Sequence, residues 1–313
     1  MTTETPVFSK KRQTAWYFLL MALAALMWSG QGTAVKVLDR HLGPIAITFL
    51  PFFVTTILFA VLLVRMRRVN PDAVKPSLQD WGKFIVAGAA GQVPAQLGMT
   101  WGVSKSLASN GAILSLLIPT ISAVLASLML KERLTPLRIS SLFIGLLGVV
   151  LLSVSDFRHS SFGQMRFLVG NLLISGGCLG SSFYNVYCKG LMRKFQEVEI
   201  LIFSYITASV ASLPLFIWVE PLHFRIFLAF DWKSWFAFAF LAFFMYGASM
   251  LLFFKALQHL DVTTASASLY LVPVFGVLIA FLLLGERLNT LAIAGAAVVL
   301  ISTILVVKYD TSY

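Results

Sequence analysis

Charge is scarce in this chain of 313 residues, since Lys, Arg, Asp and Glu make up only 12% of it, whereas a soluble domain carries about 25%. Cysteine is also rare. Cys178 and Cys188 give neither a disulfide framework nor a metal-ligand pattern. Catalytic motifs are missing too, because there is no H-E-x-x-H, no Walker A loop and no serine–histidine–carboxylate set at one depth. We therefore expect no enzyme, no metal, no cofactor and no nucleic-acid partner.

Hydrophobic residues make up 58% of the chain, 27 of them Phe, and the mean hydropathy is +0.87. Water would not keep such a chain in solution, so the composition predicts a protein of the lipid bilayer. A spanning helix needs about 20 apolar residues, so ten helices would take about 200 residues and leave only short loops. Continuous apolar runs such as 143–154 favour helices over the alternating strands of a membrane barrel.

Ten hydrophobic segments of spanning length follow one another along the chain. The side that carries both termini holds 16 of the Lys and Arg residues, and the opposite side holds 8. The positive-inside rule therefore predicts that both termini are cytoplasmic. We predict spans at about 15–35, 44–64, 83–104, 109–130, 137–154, 167–188, 198–219, 234–256, 262–284 and 289–307.

The two halves of the chain repeat each other. At an offset of 154 residues, 117–134 aligns without a gap with 271–288, and eight of the 18 positions are identical. The matches include a proline and a Glu-Arg-Leu motif, and a one-residue gap further back aligns Lys36 with Lys189. Each copy would hold five spans. An odd number makes the second copy enter the bilayer from the opposite side, which gives inverted repeats.

These motifs resemble the EamA repeat. Trp-Ser-Gly at 28–30 followed by Lys36 is similar to its opening, and a proline with a Leu-rich stretch and Glu-Arg-Leu is similar to its end. The likeness departs at Ser181 and Ser182, where a second tryptophan is expected, and at Gly285 in place of Lys131. Over nearly its whole length the chain resembles the ten-helix members of the drug/metabolite transporter superfamily.

That resemblance implies an all-α integral membrane protein with ten transmembrane helices in two inverted five-helix repeats. We expect a bacterial plasma (inner) membrane as its location. The boundaries we predict are 1–14 for a cytoplasmic tail, 15–156 and 157–308 for the two EamA-like repeats, and 309–313 for a C-terminal tail.

The implied function is secondary transport, in which the protein exports or exchanges a small metabolite by alternating access. The solute would be an amino acid or a similar polar or amphipathic compound. Two alternatives stay open, a non-transporting receptor or scaffold and a lipid flippase on the same bundle. A transporter needs a water-accessible cavity with a polar lining, whereas a scaffold can pack its core dry. The expected partners are this solute and membrane lipids, and a homodimer is left open.

Polar and aromatic side chains within the spans are the candidates for the solute site. Gln92 and Gln96 lie one turn apart around Pro94, so their amides either bind a solute or satisfy the carbonyl that proline frees. Asn185 belongs to a polar stripe on the sixth span, which either lines a cavity or bonds to neighbouring helices. We expect solute binding by Trp28, Gln31, Gln92, Gln96, Trp101, Asn185, Tyr246 and Tyr270.

Charged residues lie in tails, loops and span ends. Lys36 and Lys189, which are repeat-equivalent, either reach lipid headgroups or attract an anionic group of the solute. Glu132 and Glu286 are expected to form interfacial ion pairs or helix caps. No carboxylate lies near the middle of a span, where a proton relay would need one. This favours transport driven by the gradient of the solute itself, with the histidines as the alternative relay.

Overall fold

A computed structural model describes the helical bundle and the polar contacts at its two ends. It covers residues 10–69, 75–130, 163–221, 224–260, 271–291 and 293–298, together with isolated residues between 136 and 151 and at 269 and 301. Every regular element in this part of the chain is a helix.

The helices run in chain order as follows. The first half contains α1 (Lys10–Ser29), α2 (Gln31–Leu38), α3 (Pro44–Val69), α4 (residues 78–105), α5 (Ala108–Leu114) and α6 (Leu117–Leu130). The second half contains α7 (Gly163–Leu191), α8 (Glu197–Trp218), α9 (residues 232–259) and α10 (Leu271–Leu284), with a short 3₁₀ helix at Phe224–Ala229.

Within the part of the chain that the structure describes, five segments are long and apolar enough to cross a membrane. They are Pro44–Arg68, Ala108–Leu130, Met165–Leu191, Glu197–Trp218 and Trp232–His259. The expectation of an all-helical integral membrane protein is therefore confirmed. The count of ten spans stays a prediction, because 137–154 and 289–307 fall largely outside the described residues.

Two helices start at the same repeat position because each has a polar N-cap. The Ser77 hydroxyl accepts a hydrogen bond from the Asp80 backbone N–H, and 154 residues later Asp231 accepts one from Ser234. Hydrogen bonds from Ser234 hold the pKa of Asp231 below its usual range. These caps begin α4 and α9 at residues 78 and 232, ahead of the predicted spans, since hydropathy does not register the polar first turn of a helix.

Two of the predicted spans are broken rather than continuous. The first breaks at Gly30, between α1 and α2, and the fourth breaks at Ser115, between α5 and α6. Neither Pro119 nor Pro273 lies in a helix interior. Pro119 and Pro273 are each the third residue of a helix, in the first turn, where a missing backbone N–H breaks no helical hydrogen bond.

Each half also contains a π-helical segment at the same repeat position. The first is Val86–Gln92 within α4, and the second is Phe240–Ala248 within α9, which begins 154 residues later. Only the first has a proline near its end, Pro94, two residues beyond Gln92, so proline is not what creates the segment. A π turn rotates the side chains that follow it relative to an α-helical register. The repeat therefore extends beyond the aligned motif into local backbone geometry.

Equivalent lysines cap equivalent helices at opposite ends of the bundle. The Lys36 ammonium donates to the Ser104 carbonyl oxygen at 3.4 Å, and Arg166 donates to the same oxygen at 2.9 Å. Lys189 donates to the Gln258 carbonyl at 3.4 Å and to two neighbouring carbonyls. Arg166 and Lys189 lie 23 residues apart on α7, or about 35 Å along the helix. Opposite placement of equivalent residues is what inverted copies require.

Glutamates tie the start of one helix to the end of another. Glu286 accepts hydrogen bonds from the backbone N–H groups of Ala108 and Ser109, at 3.0 Å each, and so caps α5. Glu220 accepts from the N–H groups of Ile45 and Ala46 at the start of α3. Both contacts join the two halves of the chain. The helix-cap role predicted for Glu286 is present, while Glu132 lies outside the described residues.

Helices α4 and α7 pack backbone against backbone through glycine. A Cβ on Gly177 would lie 2.7 Å from the Met99 backbone nitrogen, and one on Gly98 would lie 2.9 Å from the Gly177 Cα. Gly180 meets the Ala95 backbone nitrogen in the same way, at 2.7 Å. Small residues allow this approach in a bilayer, where van der Waals packing replaces the hydrophobic effect between helices. The contact fixes which side chains of α4 and α7 face each other.

Gly177→Ala should destabilise the protein because the added methyl group overlaps backbone that cannot move aside, at a cost of about 1–3 kcal/mol. Gly176→Ala is the matched control on the same helix, since a Cβ there meets nothing within 4 Å. Thermal unfolding of the purified protein in detergent measures both. Equal melting temperatures for the two variants would contradict the close contact between α4 and α7.

Candidate functional site

A cavity of about 90 Å³ lies inside the bundle, between the two halves. A water molecule needs about 10–15 Å³ measured in this way, so the space holds several waters or a small solute. The breaks after α1 and α5 border the cavity, since Ser29 and Ser115 beside them are lining residues. Its lining comprises Trp28, Ser29, Gln31, Gly32, Gln92, Ala95, Gln96, Met99, Val103, Ala108, Gly111, Ala112, Ser115, Ile118, Ser181, Tyr184, Asn185, Met245, Met250, Leu269 and Val272.

Amide groups supply the strongest polar contacts of the lining. The Gln96 side-chain nitrogen donates to the Gln92 side-chain oxygen at 3.1 Å, so this pair presents one connected polar group. The Gln92 nitrogen itself has no acceptor in hydrogen-bonding geometry, and neither has the Gln31 nitrogen, although both are buried. A buried donor without a partner costs free energy unless water or a ligand satisfies it. Two amide donors beside the cavity are therefore left unsatisfied.

Helix α7 adds a second polar edge. Asn185 lies on it and is 8% exposed, and Ser181 lies one turn earlier on the same cavity-facing side. Tyr184 also lines the cavity, but its hydroxyl already pairs with Ser204 at 2.8 Å. Asn185 and Ser181 are therefore the groups of α7 that a solute can engage, while Tyr184 contributes the face of its ring.

The side of the cavity formed by α9 and the chain around α10 is apolar. Met245, Met250, Leu269 and Val272 are the lining residues from this part of the protein, and none has a hydrogen-bonding group that could replace water. The Trp28 ring, from the opposite half, packs edge-on against Phe253 with centroids 5.0 Å apart. The cavity thus has amides on α2, α4 and α7, and thioether and branched aliphatic groups on the other side.

Equivalent positions of the two repeats meet around the cavity. Residues of the first and sixth predicted spans correspond at an offset of 153, and residues of the third, fourth, eighth and ninth correspond at 154. The lining pairs are Trp28 with Ser181, Gln31 with Tyr184, Gly32 with Asn185, Gln96 with Met250, Ser115 with Leu269, and Ile118 with Val272. The cavity is therefore lined by corresponding positions of both repeats.

The structure brings together five of the eight residues that we expected to bind solute, namely Trp28, Gln31, Gln92, Gln96 and Asn185. Tyr270 lies outside the described residues.

Trp101 and Tyr246 are placed elsewhere. Tyr246 is fully buried behind the cavity wall, where its ring meets Phe52 at 5.3 Å and its carbonyl accepts from the Tyr205 hydroxyl. Its neighbour Met245 takes the lining position, because the π segment turns the helix face away from an α-helical register. Trp101 is partly exposed on the last turns of α4, outside the lining set.

Lys36 and Lys189 are not among the lining residues either, because their ammonium groups are held by helix C-terminal carbonyls. The attraction that we expected them to exert on an anionic solute stays a prediction. Most of the polar stripe on α7 bonds to neighbouring helices: Cys178 donates to the Leu114 carbonyl and Ser182 to the Ile118 carbonyl. Cys178 and Ser182 therefore serve helix packing, which was one interpretation of the stripe. Asn185 lines the cavity, which was the other.

Sequence reasoning missed several lining residues. Ser29 and Ser115 lie at the helix breaks, and a break inside an apolar run leaves no signal in hydropathy. Met99, Met245 and Met250 read as ordinary lipid-facing or packing residues. The repeat could have identified Met250 as a lining residue, because Met250 is the equivalent of the candidate Gln96 at an offset of 154.

No charge lies in this lining. Among the residues that the structure describes, no group of three or more His, Cys, Asp or Glu could hold a metal ion. His41 packs against Phe230 and His259 against Tyr17, and each lies at a helix end rather than at the cavity. The site can therefore bind by hydrogen bonding and apolar contact, but it contains no ionic partner.

Comparison with known proteins shows what the chain is similar to. The model of the EamA-like transporter family matches residues 15–154 and 168–308. An "Uncharacterized transporter" of Archaeoglobus fulgidus is 24% identical over 93% of this chain and 98% of its own length. A "Probable terminal-alkyne amino-acid exporter" of Streptantibioticus cattleyicolor is 23% identical over 91% of each chain. One protein crystal structure shares the fold with a TM-score of 0.65, at 17% identity over 93% of this chain and 98% of the other.

Proposed function

We infer the function from the premise that the chain belongs to the EamA-like transporter family. We propose that it is a secondary transporter that exports or exchanges a small amphipathic metabolite by alternating access. The solute class is an amino acid or a compound of similar size, with polar groups and no net charge. Catalysis is no part of this proposal.

The observation that carries the proposal is the lining of the central cavity. Gln31 and Gln92, each with a buried amide nitrogen that has no acceptor, line a space that holds a small solute together with Gln96 and Asn185. A charged solute would lose its hydration there without gaining an ionic partner, which is expensive in a low-dielectric interior. A zwitterion carries its own counter-charge, so no uncompensated net charge is buried, and amide donors and acceptors can bond to both of its charged groups.

Two further points support the solute class and the direction of transport. The S. cattleyicolor relative is named an amino-acid exporter, and export by this chain is proposed on that likeness. The apolar residues Met245, Met250 and Leu269 suit an aliphatic side chain opposite the polar groups.

The membrane arrangement that we propose has ten spans in two inverted halves, with both termini in the cytoplasm of a bacterial cell. Lys36, on α2, binds the same carbonyl as Arg166 near the start of α7, whereas its repeat equivalent Lys189 lies at the end of α7; this opposite placement fits the arrangement. Rocking of one half against the other would then open the cavity to each side in turn.

A polar cavity disfavours a non-transporting scaffold, because a bundle that only holds its shape has no need of unpaired buried donors. A lipid flippase would need a lateral opening large enough for a headgroup. The cavity instead lies between helices whose backbones are in contact at Gly98 and Gly177. A soluble metabolite is therefore the better fit.

Gln96→Ala and Asn185→Ala should each weaken transport without preventing folding. Loss of one neutral hydrogen bond costs about 0.5–1.5 kcal/mol, or roughly two- to twelvefold in affinity. Uptake of labelled neutral amino acids by proteoliposomes measures the change as a raised half-saturation concentration.

Trp101→Phe is the control for these variants, since Trp101 does not line the cavity and its substitution should leave the half-saturation concentration unchanged. Wild-type behaviour of both amide variants would place the solute site elsewhere in the bundle.

Transport should depend little on an imposed proton gradient. The cavity has no carboxylate or histidine among its described lining residues, and a relay within the bilayer needs such a group. Uptake with and without a pH difference across the liposome membrane, at constant solute gradient, measures this. A steep dependence would show that a relay exists outside the cavity, with His41 and His259 the first residues to substitute.

A further inference from the structure

We propose that the cavity binds its solute in one orientation, and that the repeat-equivalent pair Gln96 and Met250 determines that orientation and the resulting specificity. This inference rests on the proposed transport function and adds a substrate class to it. The preferred solute has a neutral or zwitterionic polar head on the side of the cavity lined by α2, α4 and α7, and a flexible apolar tail on the side lined by α9 and the chain around α10.

The argument begins from the pseudo-symmetry of the site. Gln96 and Met250 are 154 residues apart, and both line the cavity with at most 8% of the side chain exposed. Equivalent positions in two inverted repeats face each other across the axis between them. A symmetric pair of glutamines would offer the solute two equivalent binding modes. The actual pair offers an amide on one side and a thioether on the other, so the two modes differ.

A second pair has the same polarity. Ser115 lines the cavity from the fourth predicted span, and its equivalent in the ninth is Leu269. The polar member again belongs to the first half and the apolar member to the second. In the pairs Trp28 with Ser181 and Gly32 with Asn185 the polar member belongs to the second half, but it lies on α7, which packs against α4 and so lines the same side as Gln96. The pair Ile118 and Val272 is apolar on both sides.

The polar side is also the better connected side. Gln96 donates to Gln92, so a head group that donates to the Gln96 side-chain oxygen extends a chain of three polar groups. Hydrogen bonds in such a chain polarise one another. No equivalent chain exists at Met250, because the residue equivalent to Gln92 is Tyr246, which is buried behind the wall.

The chemistry of methionine determines the tail. Its thioether is polarizable and its side chain has three rotatable bonds, so it fits tails of differing shape but offers no strong hydrogen bond. A polar side chain on the solute would lose its water at Met250 without gaining a partner. Leucine and methionine should therefore be preferred over glutamine and serine.

The test exchanges the pair. Four proteins are reconstituted in liposomes, namely wild type, Met250→Gln, Gln96→Met and the double variant, and each is assayed with labelled leucine, methionine, glutamine and serine. Met250→Gln should lower the ratio of leucine to glutamine transport by about two- to twelvefold, the value of one hydrogen bond. Gln96→Met should lower leucine transport by a similar factor. The double variant should regain leucine transport relative to Gln96→Met, because one amide and one thioether again face each other.

Two further variants keep the result interpretable. Met250→Leu is the matched control, since it retains an apolar side chain of similar size and should keep the wild-type ratio. Leu269→Ser tests the second pair if Met250→Gln does not fold, and it should shift the ratio in the same direction.

The outcomes separate the two proposals. An unchanged leucine-to-glutamine ratio in folded Met250→Gln, or a double variant no better than Gln96→Met, would overturn the orientation proposal while leaving the transport function intact. Failure of wild type to transport any of the four amino acids above protein-free liposomes would overturn the solute class on which both depend.

Discussion

The contact that the rest of this structure depends on is the backbone packing of α4 against α7. Gly98, Gly177 and Gly180 bring the two helices together with no side chain between them. At this separation the registers of both helices are fixed, so Gln92 and Gln96 on one meet Asn185 on the other around a single cavity. A larger residue at the contact would separate the helices and leave the amides on different surfaces. In hydrocarbon, such close van der Waals packing is one of the main forces that hold two apolar helices in one register.

The hydrocarbon of the bilayer also explains why the charged residues lie at helix ends. Lys36, Lys189 and Glu286 lie at helix ends, where each pairs with backbone groups that helices leave unsatisfied. These contacts hold the two ends of the bundle and leave the centre without charge. The centre is consequently limited to hydrogen bonds and apolar contact. This is why a solute of zero net charge, moved down its own gradient, is the proposal that fits the residues.

Much of the fold could be predicted from the sequence, because hydropathy and the repeated Glu-Arg-Leu motif report burial and duplication directly. The amides of the site could be predicted as well, since Gln92 and Asn185 are polar groups in otherwise apolar helices. What could not be predicted was the helix register. The π segment at Phe240–Ala248 places Met245 in the lining and Tyr246 behind it. No pattern of side chains in a single sequence predicts a π-helical segment. The backbone break at Ser115 was hidden for the same reason.

The central claim, that solute occupies the cavity between the halves, is tested most directly by protecting a cysteine placed within it. Ser181→Cys puts a thiol of nearly the same size on the lining, and both native cysteines are buried. Ser175→Cys, on the same helix but outside the lining, is the control. A saturating concentration of leucine should slow alkylation of the Ser181→Cys thiol by a small methanethiosulfonate reagent and leave the Ser175→Cys thiol unaffected. Unchanged alkylation at position 181, in a variant that still transports leucine, would show that the solute travels by another route.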